Sequence, residues 1–295
     1  MKKQIAFIIN PKSGIINKQK IPGLIEKELD KQRFQPEIVF TKYAGHATKL
    51  ALEFVEKGFE YIVAVGGDGT VNEIAMVLRH NSAALGIIPI GSGNGLARHL
   101  GISMNVKKAI RQLNNSKIST IDYCSLNNKP FFCTCGVGFD AYISQEFDRV
   151  KKRGVFAYLK KIFKGFFKYK PHHYTVVCDE KEIKTQAFLI TVANASQWGN
   201  NAHIAPTASL KDGKLNITII KEIPFRRALR QAIKLYTKTI DNNRYIRTLT
   251  GQEIIITEEG NMPFHLDGEP LGEAPQVHVS VVHQGLRVFC SQDFQ

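Results

Sequence analysis

The sequence predicts an α/β protein with two domains, an N-terminal open α/β domain and a C-terminal, mostly antiparallel β domain that is sandwich-like. Two patterns support this prediction. Over residues 1–121, short apolar runs alternate with amphipathic segments, which is typical of a parallel sheet covered by helices on both faces. Over residues 122–285, runs of β character follow one another directly, and the short apolar tail 286–295 is expected to return to the first domain.

In the N-terminal domain, apolar runs that read as buried strands are followed by segments of helical periodicity. Ile5-Ala6-Phe7-Ile8-Ile9 is such a run, because parallel strands are buried on both faces and lack alternation. The predicted strands are 5–9, 37–41, 61–65 and 85–89, and the predicted helices are 16–33, 44–57, 70–80, 94–100 and 106–113. The loops that follow the strands should then share one edge of the sheet, where open α/β sheets bind ligands.

In the C-terminal domain, Asn127-Asn128 marks a turn between two strands within 122–138. The other predicted strands are 174–178, 187–193, 215–220, 253–257, 277–282 and 286–290, and 224–239 is predicted as the only long helix. Consecutive strands joined without helical crossovers favour antiparallel pairing.

The composition favours an anionic partner inside a reducing compartment. The chain has 40 Lys and Arg against 26 Asp and Glu, a net charge of +14, which suits nucleic acid, anionic lipid or a phosphorylated substrate, or serves solubility alone. No RNA- or DNA-binding motif accompanies the charge, so a nucleic acid partner is not expected. The five cysteines are irregularly spaced and are expected to be buried thiols of a cytoplasmic protein. No apolar run reaches membrane-spanning length, so any membrane contact should be peripheral.

The segment Gly66-Gly67-Asp68-Gly69-Thr70 lies between a predicted buried strand and a predicted helix. Glycines allow close approach of the backbone to a ligand, and the start of a helix favours phosphate. A carboxylate such as Asp68 belongs beside phosphates only if it holds Mg²⁺ or a reacting hydroxyl. Thr70 and Glu73 have the spacing of a capping box, which would fix the helix start. The alternative is an ordinary tight turn.

Two further loops repeat this design. Pro89-Ile90-Gly91-Ser92-Gly93-Asn94-Gly95 again lies between an apolar strand and a helix, and Asn10-Pro11-Lys12-Ser13-Gly14 follows the first strand. Three such loops at one edge of a parallel sheet predict a nucleotide-binding crevice.

In these motifs the chain resembles the diacylglycerol kinase catalytic family, which includes bacterial lipid kinases and the sphingosine and ceramide kinases. The resemblance begins with Asn-Pro-x-Ser-Gly, Gly-Gly-Asp-Gly-Thr-x-Asn-Glu and Pro-x-Gly-Ser-x-Asn, the last followed by Leu96-Ala97-Arg98. It continues in Gly136-Val137-Gly138-Phe139-Asp140-Ala141, Ile204-Ala205-Pro206, Asp212-Gly213 and Asp267-Gly268-Glu269. The matching segments occur in order over most of the chain.

The resemblance implies an ATP-dependent lipid kinase that uses Mg²⁺. It implies an ATP site lined by Asn10, Pro11, Lys12, Ser13, Gly14, Thr41, Gly66, Gly67, Asp68, Gly69, Thr70, Val71, Asn72, Gly91, Ser92 and Asn94. Asp68 would serve the Mg-nucleotide, and Asp267 and Glu269 would form the acidic pair near the acceptor hydroxyl, one of them as general base. Asp212, with the carbonyls of Ser209 and Lys214, would hold a structural Mg²⁺, although a simple turn explains the same residues.

The acceptor stays open between diacylglycerol and a sphingoid base. Many bacterial relatives carry an acidic residue where this chain has Gly95, and in this respect the loop resembles that of the sphingosine kinases. A soluble nucleotide kinase similar to NAD kinase, or a non-catalytic lipid-binding protein on the same scaffold, are the alternatives.

The segment 149–170 combines nine Lys or Arg with interleaved aromatic residues and no acidic residue. This composition is typical of an interfacial helix on an anionic membrane, and it predicts peripheral association with the inner membrane surface. The alternative is a helix packed on the core with a solvated basic face. The sequence leaves the oligomeric state open, and a homodimer is one candidate.

Overall fold

The structure, a computed structural model, describes residues 2–14, 17–148, 163–240 and 243–294. Contacts within the chain divide it into two units. The first unit holds Met1–Asp122 together with His283–Gln295, and the second unit holds Tyr123–Val282.

The first unit alternates strands with helices. In order, its elements are β1 (Lys3–Ile9), a 3-10 turn (Lys18–Lys20), α1 (Ile21–Glu28), β2 (Phe34–Phe40), α2 (His46–Glu56), β3 (Tyr61–Gly66), α3 (Asp68–Leu78), β4 (Ala84–Pro89), α4 (Gly95–His99) and α5 (Val106–Asn115). The strands pair in parallel in the order β2–β1–β3–β4. The apolar residues of β1, β3 and β4 are almost all fully buried, which explains their continuous apolar runs.

Helix α1 is shorter than the helix predicted over 16–33. Leu29 at its end has an extended backbone, and the Asp30 carboxylate accepts the backbone N–H groups of Gln32 and Arg33. A side chain that bonds to nearby N–H groups offers the backbone an alternative to another helical turn. Strand β2 consequently begins at Phe34, earlier than predicted.

The second unit is mostly β. Strand β5 (Lys117–Leu126) crosses the boundary between the units in sequence. It is followed by β6 (Lys129–Phe131), β7 (Thr134–Gly138), α6 (Phe139–Asp148), α7 (163–168), β8 (His172–Cys178), β9 (Lys181–Ala187), β10 (Leu189–Ala193), β11 (Leu215–Ile220), α8 (Phe225–Tyr236), β12 (Ile246–Gly251), β13 (Glu253–Leu266) and β14 (Glu269–Cys290). Its main ladder runs β12–β11–β10–β7–β13–β14 and is antiparallel.

Strand β13 serves two sets of neighbours. Its residues Ile254–Thr257 pair with β8, whereas Phe264–Leu266 pair with β7, and the register of β13 against β14 shifts between the two parts. Side chains from both sets of strands form one buried apolar cluster. A strand that changes partners at an irregularity joins the two layers of a sandwich. The predicted fold class is thereby confirmed.

Several elements of the second unit differ from the prediction, and two of its strands, β9 and β12, were not predicted. The strands predicted at 277–282 and 286–290 are one strand, β14, whose last residues pair in parallel with β4 in the first unit's sheet, with Val288 opposite Leu85. Strand β13 extends well beyond 257. Helix α6 was not predicted at all. Gly138, with a φ of 93°, ends β7, and Ala141 and Ile143 then point inward from a helix.

All five cysteines are free and buried, as predicted. Among the described residues, no helix is long and apolar enough to cross a membrane. The basic segment 149–170 falls largely outside the described residues, and only its end, 163–170, is placed.

Candidate active site

Three loops of the first unit follow neighbouring parallel strands and lie close together. They contain Asn10–Gly14 after β1, Gly67 after β3, and Ile90–Asn94 after β4. The register places Val65 beside both Ile9 and Ile88, so the three strands end level with one another. The structure therefore brings these predicted nucleotide-site segments together at one edge of the sheet.

The Asn10 side chain connects the first loop to the second. Its amide nitrogen Nδ2 donates to Oγ1 of Thr70 at 3.0 Å, and its oxygen Oδ1 accepts the backbone N–H of Lys12 at 2.9 Å. Gly14 contacts the third loop, because a Cβ added there would lie 1.7 Å from the carbonyl oxygen of Ile90. Gly14 also has a φ of 58°, which favours glycine.

Asp68 connects the second loop to the third. Its Oδ2 accepts the backbone N–H of Asn94 at 2.8 Å, and its Oδ1 accepts that of Gly95 at 3.0 Å. A Cβ on Gly93 would lie 2.6 Å from Asp68 Oδ2, and a Cβ on Gly91 would lie 2.7 Å from the Cα of Gly67. Glycine at these positions lets the two backbones approach closely. Asp68 is thus a structural clamp as well as a candidate ligand of the nucleotide metal.

The predicted capping box at Thr70 and Glu73 is wrong. Helix α3 begins at Asp68 rather than after Thr70, so Glu73 lies too far into the helix to reach its start. Glu73 instead accepts the backbone N–H groups of Gly45 and Ala47, each at 3.0 Å, and so caps α2. No side chain of the described part of the chain caps the first turn of α3, where backbone N–H groups and the helix dipole suit a phosphate.

Asn94 provides a second indication of a ligand. Its side chain is buried, and Nδ2 donates to the carbonyl of Gly91 at 2.6 Å, which fixes the orientation of the amide. Its Oδ1 is buried without a hydrogen-bond partner among the described residues. An unpaired buried acceptor is costly, and a donor group or a cation would relieve that cost.

The remaining residues of the predicted nucleotide site differ in exposure. Thr41 is buried just after β2, and its backbone N–H bonds to the carbonyl of Ile9. Val71 is buried in α3, so its side chain is part of the packing. Pro11, Lys12, Gly14 and Ser92 are exposed, and Ser13, Gly69 and Asn72 are partly so.

The second unit contains the acidic pair. Asp267 has a left-handed backbone with a φ of 49°. Its Oδ1 accepts the backbone N–H groups of Cys133 and Thr134 at 2.8 and 2.9 Å, and its Oδ2 accepts that of Phe132 at 3.0 Å. Glu269 is exposed at the start of β14. The two carboxylates therefore have different environments, since Asp267 holds the connection between β6 and β7.

The turn that contains Asp267 and Glu269 is supported by buried His265, which the sequence analysis did not single out, and by its partner Asp140. His265 Nε2 lies 3.1 Å from Asp140 Oδ2, which also accepts a hydrogen bond from Thr191 at 3.0 Å. The backbone N–H of Gly268 donates to His265 Nδ1 at 3.3 Å, so Nε2 carries the proton shared with Asp140. A Cβ at Gly136 would lie 2.4 Å from Asp140 Oδ2, which explains the glycine.

The predicted structural metal site forms a turn. Asp212 Oδ1 accepts the backbone N–H of Lys214 at 3.1 Å, and Ser209 Oγ accepts that of Lys211 at 3.2 Å. Over the described residues, His, Cys, Asp and Glu side chains form no group of three that could hold a metal. The structural Mg²⁺ at Asp212, which would rely on carbonyl oxygens, stays a prediction.

Comparison with known proteins supports a kinase. The family model for the diacylglycerol kinase catalytic domain matches residues 4–126, and that for the YegS C-terminal NAD kinase beta sandwich-like domain matches residues 133–290. A probable lipid kinase YegS-like of Enterobacter sp. strain 638 is 30% identical over 237 residues, 77% of each chain. The diacylglycerol kinase of Bacillus subtilis strain 168 is 28% identical and aligns with 95% of this chain and 94% of its own.

Solved structures agree on the fold. A diacylglycerol kinase structure from Bacillus anthracis str. Sterne superposes with a TM-score of 0.78 at 20% identity, over 99% of this chain and 98% of that one. An NAD kinase of Archaeoglobus fulgidus in complex with ATP superposes with a TM-score of 0.52 at 13% identity, over 98% and 95%. The loops, the two matched halves and these relatives lead to one assignment, that the chain belongs to the diacylglycerol kinase catalytic-domain family and carries a YegS-type C-terminal domain.

Proposed function

We propose that this protein is a lipid kinase that transfers the γ-phosphoryl group of ATP to a hydroxyl of diacylglycerol. One observation carries the proposal. The three glycine loops are held together by the Asn10–Thr70 and Asp68–Asn94 hydrogen bonds in a family whose relatives include diacylglycerol kinases. Preformed loops that present backbone N–H groups are what phosphoryl transfer requires, because its catalysis consists of positioning and charge neutralisation.

The proposed ATP site lies in the first unit. The Asn10–Gly14 loop, the start of α3 and the Gly91–Asn94 loop would surround the phosphates, and Thr41 would lie at the edge of the site. The residues present fit Mg²⁺ carried by the nucleotide, since Asp68 provides a carboxylate and Asn94 Oδ1 is an unpaired buried oxygen. Mg²⁺ commonly uses one or two carboxylates together with phosphates and water. Bound there, it would neutralise charge on the phosphate oxygens.

We propose different roles for the two carboxylates of the acidic pair. Asp267 already accepts three backbone N–H groups, which suits a residue that fixes the Asp267–Glu269 turn. Exposed Glu269 is then the better general base. The acceptor hydroxyl oxygen bonds to the γ-phosphorus, the bond from that phosphorus to the bridging oxygen breaks, the hydroxyl proton passes to Glu269, and ADP leaves.

The proposed acceptor is supported by relatives rather than by a pocket. Two relatives, from Bacillus subtilis and Staphylococcus saprophyticus, are named diacylglycerol kinases and align with 95% and 100% of this chain. The absence of an acidic residue at Gly95 instead favours a sphingoid base, so sphingosine belongs in the test.

The test is transfer of label from γ-labelled ATP to acceptors in mixed micelles. The acceptors are diacylglycerol, sphingosine, ceramide and phosphatidylglycerol, with NAD as the soluble acceptor. Glu269→Gln is the catalytic variant, and Glu180→Gln, an exposed turn residue of the same unit, is its matched control. We expect label in diacylglycerol, lost in Glu269→Gln and kept in Glu180→Gln. Label in sphingosine alone would show that the acceptor is a sphingoid base rather than diacylglycerol. Label in NAD alone would exclude a lipid kinase.

A further inference from the structure

Helix α8 carries an exposed apolar stripe. Its residues Phe225, Leu229, Ile233 and Tyr236 are between 53% and 71% exposed, and none of the residues of α8 is buried. At about 100° per residue, these four side chains fall within a sector of roughly 80°. Soluble proteins seldom leave large apolar side chains in such a continuous row, and a row of this kind marks an interaction site.

The stripe is not the face by which α8 packs on the protein. Ala228 and Leu235 point inward and contact the buried cluster that includes Ile220, Ile223 and Ile246. They lie roughly 100° around the helix from the stripe. The core is therefore satisfied by other residues, and the exposed side chains are additional to it.

Helix α7 extends the apolar surface. Phe163 and Phe167 are 58% and 60% exposed, and their rings lie 6.0 and 5.0 Å from that of Phe225. Phe166 anchors this helix end, because its ring contacts those of Phe139 and Phe188. We name the six exposed residues of the two helices the apolar patch: Phe163, Phe167, Phe225, Leu229, Ile233 and Tyr236.

The other flank of α8 is basic and concave. A cavity of about 320 Å³ is lined by Arg227, Arg230, Gln231, Lys234, Asn243, Arg244 and Tyr245. None of these residues is acidic, and the sequence of α8 contains no Asp or Glu. Arg227 Nη1 donates to the Tyr245 hydroxyl at 2.6 Å, and Arg244 donates to the same oxygen, so two guanidinium groups converge there.

Gln231 adds a polar acceptor to this basic cavity. Its Oε1 is buried and has no partner among the described residues. Guanidinium groups bind phosphate oxygens, whereas a side-chain carbonyl accepts from a hydroxyl. A headgroup that contains a phosphate and a hydroxyl would satisfy both, as the glycerol phosphate of phosphatidylglycerol does.

We propose that the apolar patch and the basic cavity of α8 together form the surface by which this protein docks on an anionic phospholipid bilayer. Exposed Arg226 lies on the side of α8 that is opposite to its packed face. The apolar stripe lies on one side of Arg226 around the helix, and the cavity residues lie on the other. One plane of headgroups would therefore contact both. Apolar side chains that enter an interface, flanked by Arg and Lys that pair with anionic lipid, are the two components of peripheral membrane binding. The choice of a bilayer rests on the proposed lipid-kinase function.

The experiment is co-flotation of the full chain with vesicles, either of phosphatidylcholine alone or with about one-third phosphatidylglycerol. The patch variant is Leu229→Asn/Ile233→Asn, with Leu52→Asn, an exposed leucine on α2, as its matched control. The cavity variant is Arg227→Gln/Arg230→Gln, with Lys27→Gln on α1 as its control. At about 1 kcal/mol for each of the two basic residues, the cavity variant should bind anionic vesicles roughly 30-fold more weakly. The patch variant should bind these vesicles at least tenfold more weakly than the wild type, and both controls should bind like the wild type.

Phosphorylation of a short-chain, water-soluble diacylglycerol separates this inference from the proposed function. Both variants should retain that activity while they lose vesicle binding. If the wild type fails to bind anionic vesicles but phosphorylates the soluble substrate, the docking surface is refuted and the kinase stands. If it binds vesicles and phosphorylates no lipid, docking stands and the kinase fails. If the patch variant changes only the oligomeric state and still binds vesicles, the patch is a contact between two copies of the chain.

Discussion

We propose two roles for Asp68, which are to hold the third loop in place and to bind the metal of the nucleotide. Substitution of Asp68 can separate these two roles. In Asp68→Asn the side-chain oxygen still accepts one backbone N–H. The NH₂ group takes the place of the second oxygen, and because it is a donor that faces an N–H donor, the second hydrogen bond is lost. The bonds to Asn94 and Gly95, at 2.8 and 3.0 Å, have a charged acceptor, for which one lost bond costs about 2 kcal/mol. Asp68→Ala loses both and should cost about 4 kcal/mol.

Hydrogen exchange of the third loop measures this cost directly. A loss of about 2 kcal/mol should accelerate exchange in a peptide spanning 91–97 about 30-fold in Asp68→Asn, because exchange follows the local opening free energy. Turnover should fall at least a hundredfold in the same variant, since displaced donors no longer meet the phosphates.

The matched control is Asp30→Asn. Asp30 also accepts two backbone N–H groups, those of Gln32 and Arg33, in a turn that contributes nothing to the proposed nucleotide site. Both of these bonds go to Oδ1, which the Asn amide keeps, so exchange in this turn should change little and turnover should stay at the wild-type value. If Asp68→Asn leaves exchange of 91–97 unchanged and still loses turnover, the clamp is refuted and Asp68 acts through the nucleotide or its metal alone.

Three further predictions follow from the described contacts. Asp267→Asn should lower stability by about 2 kcal/mol, because the amide keeps one acceptor oxygen and loses the bond of the other, whereas Glu269→Gln should melt like the wild type and lose turnover. Equal stability of the two variants would contradict their different roles. Gly14→Ala should abolish ATP binding in calorimetry, because its Cβ meets a carbonyl oxygen at 1.7 Å, while Gly23→Ala, with open space, should bind normally. Glu73→Ala should lower the free energy of unfolding in urea by about 1 kcal/mol through the lost cap on α2, and an unchanged midpoint would refute that cap.

Some features of the site could be predicted from sequence because they are local. The order of strands and helices in the first unit follows from apolar periodicity, and the three loops follow from glycines at strand ends. Glu73 shows the limit of such reasoning. Its spacing from Thr70 is that of a capping box. Its carboxylate bonds instead to the backbone of Gly45 and Ala47, which lie 28 and 26 residues earlier in the chain.

The amino-acid sequence by itself determined the fold class, the family and the position of the three glycine loops, because each can be recognised from residues that are close together in sequence. Only the tertiary structure decided what the carboxylates contact. Asp267 meets the backbone of 132–134, and His265 meets Asp140, across more than 120 residues of chain. The exposure of the apolar stripe of α8 was also decided only by the tertiary structure. An amphipathic pattern shows that a helix has an apolar face, but the packing of the neighbouring elements decides whether that face is buried.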